Sequence, residues 1–187
     1  EIQDNSTEAL KLFKLVDTIV ESDEYKAKFI DFADDKNLYL AYKHLQGRLF
    51  EAVSHKNVSR FQEANILFQK VEKEAKDMLL KVDSSKRNSI IIILRNCYHS
   101  WGNLHKRVNP KIAMKYFELA EDYNSQYDSK NLQYSESNAS LFLDKGQLYR
   151  VMKDLNSALT CYNQANEILI NAKKHDIEID IFIEVSL

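Results

Sequence analysis

Apolar residues recur at helical spacing along almost the whole chain, and short polar clusters interrupt them. Asn5, Ser6, Thr7 and Glu8 place cap residues before an acid, which predicts a helix start. Leu10, Phe13, Val16, Ile19 and Val20 then follow on one face. Tyr25, Phe29, Ile30 and Ala33 mark a second, shorter helix, and Asp34 to Asn37 a polar turn. The pattern predicts a helix from Leu38 to about Val53, a loop over 54–58, and a helix capped by Ser59 that carries Phe61, Ala64, Phe68, Val71, Ala75 and Met78. Asp83 to Lys86 is the next turn, and a helix runs from about Ser89 to Lys106. Asn109 and Pro110 read as N-cap and first helical residue, where the missing proline N–H costs nothing. Ala113, Phe117, Ala120 and Tyr123 follow. A polar stretch from Asn124 to about Asn131 leads into a helix ending near Met152. Lys153 to Asn156 turns the chain into a last helix reaching about Ala172. The prediction is all-α, with about eight helices in antiparallel hairpins. No linker is long enough to divide it, so a single domain over 1–187 is expected.

Composition agrees with this reading. Three glycines and one proline are too few for a sheet-rich fold of 187 residues. With 44% hydrophobic and 29% charged residues the chain can bury a core, which excludes wholesale disorder. A formal charge of −2 leaves no global polycation, and Lys106-Arg107 and Lys173-Lys174-His175 are isolated. Direct nucleic-acid binding is therefore not expected, and neither is membrane contact. The longest apolar run, Ile90 to Leu94, is followed at once by Arg95, far short of the ~18 residues a membrane span needs. Cys97 and Cys161 lack a CxxC or a partnering His, so they read as buried thiols. The compartment is left open, with the cytoplasm favoured and an extracytoplasmic sensor segment as the alternative.

All three glycines fall inside predicted helices, where each costs about 1 kcal/mol relative to Ala. Each lies on the first helix of a hairpin and is followed by a ring: Gly47 by Phe50, Gly102 by His105, Gly146 by Tyr149. Each second helix repeats a small residue, an aromatic, and a small or β-branched residue: Ala64, Phe68, Val71; Ala113, Phe117, Ala120; Ala158, Tyr162, Ala165. The expected cause is close helix crossing. A glycine lets the second helix approach at its alanine, and the aromatic fills the wedge between neighbouring hairpins.

This pattern resembles the tetratricopeptide repeat (TPR), whose signature pairs an aromatic, a large apolar residue, Gly and Tyr with Ala-x3-aromatic on the second helix. Phe142, Leu143, Gly146 and Tyr149 with Ala158, Tyr162 and Ala165 fit best. Tyr98, Trp101, Gly102 and His105 with Ala113, Phe117 and Ala120 also fit. The first unit departs, with Lys43 and Gln46 where apolar residues are expected and a longer turn before Ala64. The alanines also stand farther apart than the family's period of about 34 residues, as in divergent long-helix versions from bacterial regulators and sensors. The resemblance implies hairpins at 38–80, 86–127 and 133–172, with 1–37 as a worn N-terminal cap. The chain begins at Glu1, not Met, and ends at Leu187, so a removed leader or a piece of a longer protein is expected. Ile177, Ile179, Ile181 and Ile183 alternate as in a strand. The array favours reading 175–187 instead as the opening of a further repeat.

A TPR-like α-solenoid implies a concave groove lined by the first helices, able to hold a peptide or a partner helix. Counting from each glycine, the groove residues are His44, Arg48 and Glu51; Asn96, His99, Asn103 and Lys106; and Leu143, Gln147 and Arg150. The resemblance implies a polypeptide ligand of acidic character, its backbone held by Asn and its carboxylates by Lys and Arg. His44 and His99 stand where a chaperone-type carboxylate clamp wants Lys, so chaperone binding is not implied. Tyr123, Tyr127 and Tyr134 are expected to pack between hairpins. No phosphate loop, hydrolase motif or metal-ligand spacing is present, so no cofactor, no metal and no catalytic residue is expected. The alternative in class is a small helical ribonuclease of the HEPN type, which the Arg48 and His55 spacing resembles. The sequence does not identify the partner or the oligomeric state.

Overall fold

The apolar stripes close into helices throughout the computed structural model, which describes residues 8–15, 18, 35–126 and 132–173. Residues 8–15 are helical, with Leu10 buried. We number the longer helices α1 (Asp35–Asn57), α2 (Phe61–Leu79), α3 (Arg87–His105), α4 (Pro110–Ser125), α5 (Leu132–Val151) and α6 (Leu155–Lys173). A 3₁₀ turn at Ser84–Lys86 precedes α3. Among the described residues the regular structure is all helical, with no strand. The tail from residue 174, most of the N-terminal cap segment, and the side chains of Tyr127 and Tyr134 lie outside them.

The chain forms two compact units, Glu1–Tyr127 and Asp128–Leu187, divided in the polar stretch after α4. In the first unit α1 packs on α2, α2 on α3 and α3 on α4, and α3 also touches α1; no comparable packing joins α2 to α4. In the second, α5 packs along α6.

The three second helices share one register. Ala64, Ala113 and Ala158 each donate their backbone N–H to the residue four earlier, the helix-flanking Arg60, Asn109 and Asp154. All three alanines are buried, as are Phe68, Val71, Phe117, Ala120 and Ala165. This stripe carries the hydrophobic face of each helix. In the second unit Ala139, Ala165 and Leu169 form a core onto which Phe142, Leu143 and Ile168 pack.

The glycine argument holds at two positions and fails at the third. A Cβ on Gly102 would stand 2.5 Å from the Phe117 ring, and one on Gly146 2.5 Å from the Tyr162 ring. The aromatic thus sits in the notch of its own hairpin rather than in a wedge between hairpins. Gly47 has nothing within 4 Å of that position, so it is not a packing notch.

The turns explain why. After α1 the N–H of Arg60 bonds to the carbonyl of His55, and that of Ser59 to Lys56. After α5 the N–H of Asp154 bonds to Tyr149, and that of Lys153 to Arg150. Both are Schellman closures, and their left-handed residues are Ser59 (φ 62°) and Lys153 (φ 64°), not glycine. Ser59 therefore ends α1 instead of capping α2, and α1 runs on to Asn57 through the expected loop. Aligned on this shared turn, Gly146 corresponds to Ala52, which is fully buried, and Tyr149 to His55. The first hairpin's notch position is Ala52, and its ring is His55 rather than Phe50, which is largely exposed.

The α3–α4 turn is built differently. Asn109 accepts the Ile112 N–H at 3.2 Å, and Pro110 opens α4 as expected.

Candidate functional site

On α3 one face is left partly open. Ile91, Leu94, Cys97, Tyr98, Trp101 and Gly102 are buried, and Arg95 is buried among them, its Nε donating to Asn124 Oδ1 at 3.4 Å. The remaining arc carries Ser89, Ile92, Asn96, His99, Ser100, Asn103 and Lys106, half-buried except for the exposed Ser89. Four of these are the groove residues counted from Gly102. Asn96 accepts a hydrogen bond from Arg95, and the His99 ring meets Phe117 edge-on at 5.9 Å. Ser89, Asn96 and Asn103 follow each other at about two-turn intervals, which sets them in one row.

The same count places Gln147 and Arg150 on the exposed face of α5, while Leu143 packs onto the core instead. Gln147 and Arg150 belong to the second unit.

In α1 the count fails, because Gly47 is out of register. Arg48 is 4% exposed and ion-pairs with Glu74 of α2. Glu51 is equally buried, with its Oε1 3.8 Å from His55 Nε2. His44 is half-buried. The open side of α1 instead carries Tyr39, Lys43 and Phe50. With Ala52 in the glycine's place, each first helix ends on a ring followed by a cation: His55 and Lys56, His105 and Lys106, Tyr149 and Arg150. Lys56 is the functional candidate that counting from glycine overlooks; aligning from the Ala64 and Ala158 stripes finds it.

Arg48 and His55, the HEPN-like pair, share one face of α1 but are both buried, which offers a phosphate no open approach among the described residues. Burial lowers the His55 pKa below 6.5, with Arg60 and Lys14 adding to the shift and Glu63 opposing it. The ring is therefore held neutral near pH 7.

Behind α3 the rings stack. Trp101 lies 4.3 Å from Tyr116 and 5.9 Å from Phe68, and Tyr98 lies 5.6 Å from Tyr123. Tyr123 thus stacks on a ring of its own hairpin, where packing between hairpins is the sequence expectation. The polar tips find partners on α2: the Tyr98 hydroxyl donates to Glu72 at 2.7 Å and Trp101 Nε1 donates to Asn65 at 2.8 Å, while Lys76 of α2 itself donates to Glu72. Burial, and then the bond to Glu72, raise the Tyr98 phenol pKa. The Tyr98 O–H and the Trp101 N–H are thus bonded as buried polar groups need to be.

At the far end of the α3 row, a cleft of about 410 Å³ opens between α1 and the start of α3. Leu38, Tyr39, Tyr42 and Ile90 line it, with Ser85, Lys86 and Ser89. Lys43 stands 5.4 Å from the Tyr39 ring and 5.8 Å from the Tyr42 ring. Among the described residues no cluster of His, Cys, Asp or Glu could hold a metal ion, and no helix is long and apolar enough to cross a membrane. Comparison with family models, curated proteins and solved structures finds no match to this chain.

Proposed function

We propose that this chain is a non-catalytic interaction module, a TPR-like hairpin array that holds an extended polypeptide of acidic character against α3. Its place would be the scaffold or sensing part of a larger regulatory protein, of the bacterial kind. The observation that carries this reading is the half-buried polar arc of α3. It bears amides that can pair with a peptide backbone at Asn96 and Asn103, and a cation for a carboxylate at Lys106. Gln147 and Arg150 carry the same chemistry on the exposed face of α5. Support for the array comes from the common register of Ala64, Ala113 and Ala158, and from the two glycines filled by an aromatic of the partner helix.

An array of twelve-residue peptides anchored by their C-termini tests this. The purified chain is expected to retain acidic peptides over basic ones, with retention falling as salt rises. The double variant Asn103→Ala/Lys106→Ala should bind about tenfold or more weakly. Retention of no peptide, or equal retention by the double variant, overturns the reading.

A further inference from the structure

The α1–α3 cleft and the α3 row have one residue in common. Ser89 lines the cleft, and it also begins the line that continues through Asn96 and Asn103 towards Lys106. The two features therefore form one continuous track along the same helix. Their chemistry differs along its length. At the cleft end Ile90 is buried, and Tyr39 and Tyr42 supply ring surface. A volume of about 410 Å³ falls in the size range of ligand pockets and takes a large side chain. At the other end the amides give way to Lys106. Among the described residues no Asp or Glu lines the cleft; Lys86 does, and Lys43 stands beside the tyrosines. The track as a whole is neutral to basic.

We propose that the occupant of this track is an internal peptide segment with a large apolar side chain in the cleft and a carboxylate side chain at Lys106. This rests on reading the α3 face as a peptide site, and adds a spacing to it. An α-helix rises about 1.5 Å per residue, so Ser89 and Lys106 stand about 25 Å apart along α3. An extended peptide advances about 3.3 Å per residue, so the apolar and acidic residues stand about eight residues apart. The cleft selects the apolar residue by burying it against Tyr39, Tyr42 and Ile90. The Asn96 and Asn103 amides between the ends bond to backbone and tolerate any side chain there.

The test uses C-terminally anchored peptides with one Leu or Phe and one Glu, their separation varied from about two to about twelve residues in otherwise Ser/Gly/Ala sequences. Retention by the full chain is expected to peak at six to nine residues of separation, and to need both residues. Tyr39→Ser and Ser89→Glu change exposed positions and leave the core intact. Each should weaken the best peptide about tenfold and erase the preference for Leu or Phe while sparing that for Glu. A flat dependence on separation, or either variant keeping the apolar preference, overturns the proposal. If acidic peptides are still retained and still lost in Asn103→Ala/Lys106→Ala, the peptide reading survives and only the cleft assignment fails. If no peptide is retained by the full chain, both fall together.

Discussion

Glycine in a helix costs the same about 1 kcal/mol wherever it stands, so what fills the space beside it decides its worth. The three glycines separate on that basis. Gly102→Ala pushes a methyl into the fully buried Phe117 ring and should destabilise the first unit by about 1–3 kcal/mol. Gly146→Ala meets Tyr162, which is half-buried and can swing outward, so its effect should be smaller. Gly47→Ala meets nothing and should stabilise by up to about 1 kcal/mol. Urea melts of the three variants check the order, and a loss at Gly47 would restore it as a notch. Histidine burial gives a second expectation at this scale. His55 and His105 both have folded-state pKa values below the ordinary 6.5, with burial the main cause. Below that value the unfolded chain binds more protons than the folded one. Their contribution to stability is therefore complete above about pH 6.5 and is lost as pH falls below it, by up to about 1.4 kcal/mol per pH unit for each ring. Among the described residues the charged groups acting on His55 are Lys14, Glu51, Arg60 and Glu63. Urea midpoints at pH 7.5 and 5.5 should differ in the parent chain, and His55→Gln should narrow the gap.

Among the helices, those with a clear apolar stripe were legible from spacing alone. α2, α4 and α6 begin within a residue or two of their expected starts, and Asn109 with Pro110 announces α4 through cap chemistry. The end of α1 was not legible. Ser54, His55, Lys56 and Asn57 look like a polar loop, yet His55 is buried and the helix continues through them. The turn after it hides for a related reason. Glycine is the usual mark of a left-handed helix end, and here Ser59 and Lys153 occupy those positions. That displacement misled the register of the candidate site. Counting from Gly102 located the half-buried polar arc of α3, whereas counting from Gly47 selected Arg48 and Glu51, which are buried against neighbouring groups. No feature of residue type separates those glycines; only the partner ring does. The same turns yield a prediction. A non-glycine residue in the left-handed region costs about 1–2 kcal/mol. Lys153→Gly should therefore raise the stability of the second unit by about 0.5–1 kcal/mol, part of the gain being offset by glycine's greater unfolded-state freedom. Thermal melts check it, and a loss of stability would show that the Lys153 side chain contributes more than its backbone strain costs.

At the scale of the whole chain, the division into two units changes what a single measurement can mean. Each unit has its own buried residues, Leu94, Cys97 and Phe117 in the first, Ala139, Ala165 and Leu169 in the second. Where the units unfold separately, one melting curve is a composite, and a substitution in one unit need not register in the other. The charge of −2 and the alternation of acids and bases tell of solubility only, which is why the partner was not legible from composition. The two cysteines offer a way to take the units separately. Burial pushes the Cys97 thiol pKa far up, leaving it almost wholly protonated and inert towards a disulfide reagent until its surroundings open. Leu169→Ala removes a buried side chain from the second unit's own core, at a cost of about 2–5 kcal/mol. Labelling of Cys161 should then accelerate by more than about tenfold with Cys97 unchanged; equal acceleration at both thiols would mean that the units open together. Nature has thus left one stopwatch in each half of the molecule, and the breathing of each can be clocked without an added dye or a foreign residue.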